Sequence, residues 1–226
     1  MLKIFIGYDP NEVAAYHVLA HSIIRHSSIP VSITPLKLDQ LPMTRKRDPK
    51  QSTEFAFSRF LVPWLSGFKG WSLFLDCDML CRGDIADLFA QMNDRMAVQV
   101  VKHDYTPKTD TKFLDQKQTR YEKKNWSSVM LFNNARCKEL TVDYVNKASG
   151  LELHQFQWLW RQNLIGTLTN DWNHLVGEYD PNPNAQMAHF TLGGPYFTGY
   201  EHCEYALEWF EELEMATYSN NESITA

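Results

Sequence analysis

The residues with the clearest chemical potential are Asp76-Cys77-Asp78, two carboxylates one residue apart directly after the apolar run Trp71-Ser72-Leu73-Phe74-Leu75. In extended backbone alternate side chains share a face, so Asp76 and Asp78 look one way and Cys77 the other. Like charges this close raise each other's affinity for protons unless a cation lies beside them, and a divalent metal is the economical partner. A turn-and-cap reading competes, because Asp-x-Asp is common by chance and Asp78 and Asp84 both suit a strand exit. The buried strand before the pair and the turn Cys81-Arg82-Gly83-Asp84-Ile85 after it favour the metal.

Such a pair needs a rigid strand end to hold it. Residues 2–6 read as a first strand, after which Asp9 caps a helix, with Pro10 in its first turn and Glu12 completing a capping box. Val13, Tyr16, Ala20, Ile23 and Ile24 continue that helix to about Ser27. Further strands are expected at 31–36, 71–75, 96–101 and 127–132, and helices at 52–65, 84–89, 138–148, 154–162 and 200–214. The alternation predicts an α/β fold with helices on both faces of a sheet and ligand sites at the carboxyl ends of its strands. The polar stretch Lys102–Asn125, with Lys108, Lys112, Lys117, Lys123 and Lys124, is too long for a plain connection and reads as a lid or a solvated insertion. Residues 1–217 read as one domain and 218–226 as a flexible tail.

Composition narrows the function class. With 22 Lys plus Arg against 27 Asp plus Glu, the net charge of -5 disfavours a nucleic-acid binder working by bulk charge. A hydrophobic share of 44% supplies a core, and 7 Trp, 10 Tyr and 13 Phe suit either that core or sugar-stacking surfaces. The cysteines Cys77, Cys81, Cys137 and Cys203 lack Cys-x-x-Cys spacing, which argues against a disulfide scaffold or a zinc ribbon. No apolar run approaches the ~18 residues of a spanning helix, and the opening segment is too short for a signal-peptide core. The expectation is a cytoplasmic protein without an integral membrane segment, free or peripheral to a membrane.

Phe57-Ser58-Arg59-Phe60-Leu61-Val62-Pro63, Trp71 to Leu80 and Gly83-Asp84-Ile85-Ala86-Asp87-Leu88-Phe89 together resemble the central block of the family 8 glycosyltransferases. Ser127-Ser128-Val129-Met130-Leu131-Phe132-Asn133 and His189-Phe190-Thr191-Leu192-Gly193-Gly194-Pro195-Tyr196 resemble that family's later strand and C-terminal motif, in the same order. The resemblance implies a GT-A fold, a mixed Rossmann-like sheet flanked by helices, with a UDP-sugar donor and Mn²⁺, Mg²⁺ being the alternative. It also implies a saccharide or other hydroxyl acceptor and retention at the anomeric carbon. On it, Asp76-Cys77-Asp78 lines the nucleotide site, Asp76 and Asp78 contact metal or ribose, and His189 is the third metal ligand. Gly7-Tyr8-Asp9 holds the base, Arg59 faces the nucleotide, and the backbone of Gly193 and Gly194 approaches the diphosphate. Gln155 sits by the reacting sugar as a positioning and charge-stabilising group. Trp126, Ser127, Ser128, His154, Asp171, Trp172 and Asn173 line the sugar cleft; Trp172 could offer a stacking face, although core packing is the safer reading of a single Trp.

The chain departs from that family at His154, where an Asp is usual, at Gly194, where a Lys is usual, and at Trp126 and Tyr196, which replace an Asn and a Trp. No carboxylate stands where a covalent nucleophile would, which favours same-face substitution over double displacement. Two rivals share the Asp-x-Asp signal. A haloacid-dehalogenase phosphatase needs a small or hydroxyl residue where Met79-Leu80 stand and its first Asp near the chain start. A degenerate sugar-nucleotide-binding domain is compatible with the departures at 154 and 194.

Overall fold

A computed structural model describes residues 1–47, 51–104 and 122–218. Lys108, Lys112 and Lys117 of the polar stretch and residues 219–226 of the expected tail lie outside the described residues.

In chain order the elements are β1 (Leu2–Gly7), α1 (Val13–His26), β2 (Val31–Leu36), α2 (Val62–Leu65), β3 (Trp71–Leu75), β4 (Met79–Cys81), α3 (Ile85–Ala90) and β5 (Val98–Val100). They continue as β6 (Val129–Asn133), α4 (Val142–Lys147), α5 (Gly150–His154), β7 (Ile165–Thr167), β8 (His174–Leu175), β9 (Met187–His189) and α6 (Ala206–Thr217). Among the described residues a six-stranded sheet runs β2-β1-β3-β6-β5-β7, and a three-stranded sheet runs β4-β9-β8. β1 pairs in parallel with β2 and β3, whereas β6 runs antiparallel to both β3 and β5, which makes the large sheet mixed. Ile4, Ile6, Leu73, Phe74, Leu75, Met130, Leu131 and Phe132 fill its two faces and are inaccessible to water, as strands covered on both sides require.

Several expected boundaries move, each for a local reason. Asp9 does not cap α1: Oδ1 accepts from the backbone and side-chain nitrogens of Asn11 at 2.9 and 3.0 Å, and Oδ2 accepts from Glu54 N at 2.9 Å. Glu12 closes no capping box either, because its buried carboxylate accepts from Tyr196 Oη at 2.7 Å. The helix expected at 52–65 is a 3-10 turn, Ser58–Leu61, leading into α2. Pro63 has no N–H to bond back into the preceding turn, and Phe55, Phe57 and Phe60 are all buried rather than confined to one face.

The helix expected at 154–162 lies upstream, as α5. There Ser149 accepts from Glu152 N at 3.2 Å while Glu152 accepts from Ser149 N at 2.7 Å, and Phe156 at φ 59° prevents continuation. Tyr205 at φ 61° likewise delays α6 to Ala206. The helix expected from 138 starts at the Thr141 cap. The Asp84 cap on α3 is present, accepting from Ala86 N at 3.0 Å.

Two devices fix the end of β1 and the flank of α1. A Cβ on Gly7 would stand 2.4 Å from the Phe55 ring, so glycine is what lets that aromatic close over the strand end. On α6, buried Glu212 accepts from Arg25 Nη2 and Nε at 2.6 and 2.9 Å and also meets His21, clamping α6 onto α1. Among the described residues no helix is long and apolar enough to cross a membrane.

Candidate metal and sugar-nucleotide site

The end of β3 and the start of β4 create the site. Backbone pairing continues one residue past β3, from Asp76 N to Ser128 O at 3.0 Å, and then the chain bends through Cys77 and Asp78. Cys77 is wholly buried, its thiol pushed well up by burial, so its side chain is a packing group rather than part of a binding surface. Asp76 and Asp78 come together past the end of β3, across that bend. The β4–β9 register sets His189 opposite Met79, and Phe190 N donates to Asp78 O at 2.9 Å, which carries the histidine to the carboxylates. One ligand atom from each of Asp76, Asp78 and His189 lies within 4.8 Å of the others, with His189 Nε2 3.4 Å from Asp78 Oδ1.

Their surroundings prepare this set for a cation. Asn173 is buried and its amide orientation is assigned from its partners: Nδ2 donates to Asn125 O at 3.3 Å, so Oδ1 accepts from His189 Nδ1 at 2.8 Å. That leaves the Nε2 lone pair of His189 on the side of Asp78, the tautomer a metal ligand needs. Asp76 is almost fully buried, and burial pushes its carboxyl up to about 6. Arg59 opposes that rise, Asp78 adds to it, and His189 and the Ser128 hydroxyl work against it. Two carboxylate oxygens and one imidazole nitrogen are a chemically suitable donor set for a divalent ion.

Arg59 lies inside the protein rather than on a solvated face. Its Nη1 stands 2.8 Å from Asp76 Oδ1, off hydrogen-bond geometry, and donates to Ser127 O at 3.0 Å. The guanidinium is packed between the Phe55 and Phe74 rings, 5.2 and 5.1 Å from their centroids. It therefore acts first on Asp76. Ser127 Oγ in turn lies 2.8 Å from His154 Nδ1, so Asp76, Arg59, Ser127 and His154 form one connected chain.

Other expected positions fall into three groups. At the exit of β1, Tyr8 is half-buried with its ring edge-on to Tyr16 at 5.5 Å, while both Asp9 oxygens already accept N–H groups of the β1–α1 turn and residue 54. Gly193 (φ 144°) and Gly194 are buried beside Tyr200 and Tyr196, a close approach that side chains at either position would block. Gln155 accepts Lys123 Nζ on its backbone at 2.7 Å and Gln157 Nε2 on its side chain at 2.8 Å.

Trp172 is 2% exposed and belongs to the core, the safer of its two readings, and offers no stacking platform. Asn173 likewise stands behind His189 instead of facing a cleft. Asp171 accepts Gln186 N on its backbone at 2.8 Å, which helps place the loop before β9. Trp126 donates its indole N–H to His103 O at 2.8 Å.

Two residues at the site were not singled out from sequence. Glu12 carries a carboxyl held well above the ordinary range, by burial first and by Asp78 second. His103 shares a hydrogen bond at 2.8 Å with Tyr179 Oη, and burial pushes it down to about 3, so a neutral imidazole lies toward His189. Glu12 had a cap-like sequence signature that masked its inward turn, and a lone histidine before Asp104 offers no signal.

No protein-family model matches the chain. Protein CDI of Arabidopsis thaliana is 43% identical over 223 residues, spanning 94% of this chain and 86% of that protein. Among solved structures, the bifunctional glycosyltransferase WbbM superposes with a TM-score of 0.64 at 16% identity, over 94% of this chain and 49% of its own, so the chain spans about half of it. The galactosyltransferase LgtC, solved with donor and acceptor sugar analogues, gives 0.61 at 11% identity over 98% of both chains. The glycosyltransferase GlyE of Streptococcus pneumoniae gives 0.60 at 14% identity, over 94% of this chain and 60% of its own. At such identities the likeness shows the fold: a GT-A mixed sheet flanked by helices.

Proposed function

The chain belongs to the family of Arabidopsis Protein CDI and has the GT-A fold, and from that premise we propose that it is a metal-dependent retaining glycosyltransferase moving a hexose from a UDP-sugar to a hydroxyl acceptor. The observation that carries this reading is the convergence of Asp76, Asp78 and His189 at the carboxyl end of β3. Asp76, Asp78 and His189 would hold the ion, and two hard oxygens with one borderline nitrogen suit Mn²⁺. Bound there, the ion would neutralise charge developing on the departing diphosphate.

The chain's own residues do the rest. Arg59 holds Asp76 in place and favours its ionised form, and Asn173 holds the ring of His189 in the binding tautomer. The backbone of Gly193 and Gly194 approaches the diphosphate where a lysine is missing, since glycine N–H groups can approach phosphate closely. Gln155 lies at the sugar as a positioning amide. An amide is a poor nucleophile, and the sequence pattern places no carboxylate in the nucleophile's position, which favours same-face substitution.

Binding of UDP with Mn²⁺ and metal-dependent hydrolysis of a UDP-sugar test this reading. Phosphatase activity on phenyl phosphate without UDP affinity would contradict it. Asn173→Ala frees the His189 ring, and Mn²⁺ affinity measured with UDP present is expected to drop about 10–100-fold. Unchanged affinity in the folded variant would remove Asn173 from the metal site.

pH supplies another check. Asp76 takes up a proton near pH 6 in the metal-free protein, and the ion must displace it. Mn²⁺-dependent UDP affinity is therefore flat above about pH 7 and falls by up to about tenfold per unit below pH 6. The metal-free fold shows the opposite linkage: the stabilisation from Asp76 protonation is fully present below its unfolded value near 3.8 and is lost as pH rises through about 6. Calorimetric titrations from pH 5 to 8 read the first effect, and a pH-independent affinity would contradict it.

A further inference from the structure

Resting on the metal and sugar-nucleotide reading, we infer that Tyr196 and Glu12 are a pair of positioning residues. They lock the segment that follows His189 onto the β1–α1 corner beside Asp78, and glycine stands at 194 to make room for that lock. The segment needs such a tie, because β4 and β9 share three residue pairs and the strand carrying His189 is anchored over a short length. Beyond that strand Phe190 N donates to Asp78 O at 2.9 Å, and Gly193 N donates to Phe190 O at 2.8 Å. A turn follows in which Phe197 N donates to Gly194 O at 2.9 Å. Pro195 and Tyr196 are its central residues, and the first of these places suits the fixed φ of proline.

Tyr196 leaves that turn folded back over the chain. A Cβ on Gly194 would stand 2.2 Å from the Tyr196 ring, and the ring packs on Trp209 of α6 at 5.2 Å between centroids. In this placement Oη donates to Glu12 Oε2 at 2.7 Å, joining residues 184 positions apart. Glu12 suits the role because its backbone is fixed at the start of α1: its N–H donates to Asp9 O at 3.0 Å, and its carbonyl accepts from Tyr16 N at 3.1 Å. It is 3% exposed, and Asp78 is the charged neighbour that acts on it most strongly. A buried acceptor that loses its donor is costly, so the phenol hydroxyl holds the corner and the segment together.

The departures at 194 and 196 are thereby one feature. A lysine at 194 would need the space that the Tyr196 ring fills, so its absence is a condition of the lock rather than the decay of a site.

The test measures Mn²⁺-dependent UDP affinity by calorimetry, and melting temperature in chelator. Tyr196→Phe keeps the ring on Trp209 and loses only the hydroxyl. Its affinity is expected to fall about 10-fold and its melting temperature by roughly 2–4 °C. Glu12→Gln retains an acceptor for the phenol and stays within about threefold of wild type. Glu12→Met loses affinity as Tyr196→Phe does, and the double variant loses no more, as two halves of one contact behave. Gly194→Ala lowers affinity while the Tyr196 ring is present and has no further effect in a Tyr196→Ala background. Wild-type affinity in Tyr196→Phe, with only the melting temperature moved, makes the hydroxyl a structural group and overturns the inference. Additive losses in the double variant, or an effect of Gly194→Ala that is the same with and without the ring, overturn it as well. Each of these outcomes leaves the nucleotide-sugar reading standing, because wild type still binds UDP with Mn²⁺. Failure of wild type to do so overturns both.

Discussion

Asp76→Ala abolishes metal-dependent UDP binding while leaving the protein folded. The expected loss is at least about 100-fold in UDP affinity at saturating Mn²⁺, beyond the 10–100-fold typical of groups that only support a ligand. The fold survives because Asp76 is not a comfortable carboxylate in the metal-free protein: burial pushes it up to about 6 and Asp78 adds to that. Removing it removes a desolvated carboxyl, and although the buried Arg59 guanidinium loses its counter-charge at some cost in stability, Arg59 still donates to Ser127 O at 3.0 Å and Phe55 O at 3.4 Å. The pH step in UDP binding near 6 disappears with the carboxylate. Calorimetry at pH 5.5 and 7.5 beside a melting curve checks both halves. Wild-type affinity in Asp76→Ala would remove the site from the protein's function.

Arg59→Met has the reverse profile. Methionine fills much of the slot between Phe55 and Phe74 but leaves Asp76 and Asp78 facing each other without the guanidinium 2.8 Å from Asp76 Oδ1. Removing one partner of a buried ion pair costs about 3–5 kcal/mol. For a chain of this size that is roughly 10 °C in melting temperature. Asp76 then titrates above 6, so the fall in Mn²⁺-dependent UDP affinity shifts to higher pH. Because a bound cation can replace the lost one, Mn²⁺ with UDP restores part of the stability, in the manner of any ligand that binds only the folded state. An unshifted melting temperature with an unshifted pH edge would show that Arg59 does not govern Asp76.

These two effects depend on features of unequal visibility in the sequence. β1 and β3 are apolar runs ended by polar turns, and the Asp84 cap precedes an apolar stretch, so local signals specify them. Strand alternation anticipates the shared facing of Asp76 and Asp78, but the pair lies past the end of β3, where the chain bends, so the turn into β4 completes it. β4 and β9 have three residues each, too few for any period, so the register that sets His189 opposite Met79 is decided by long-range pairing. The family resemblance supplied His189 where local reasoning could not.

Glu12 shows the limit from another side. Asp9 and Glu12 have the spacing of a capping box, yet the Glu12 carboxylate turns inward to Tyr196, 184 residues later, and no local pattern carries that partner. Asn173 follows the same rule: an asparagine beside a cleft motif looks like a ligand contact, and the structure uses it to aim a histidine, whereas core packing is already the safer reading of Trp172 in the sequence. Arg59 lies on a 3-10 turn before Pro63 rather than on the regular helix expected at 52–65, and that turn carries its side chain into the interior against Asp76.

The central claim, that Asp76, Asp78 and His189 form a cation-dependent nucleotide site, is tested most directly by calorimetric titration of UDP into the wild-type protein at pH 7.5, with Mn²⁺ and with chelator. Saturable binding that requires Mn²⁺ is the predicted result. Equal binding in chelator, or none in either condition, would contradict it.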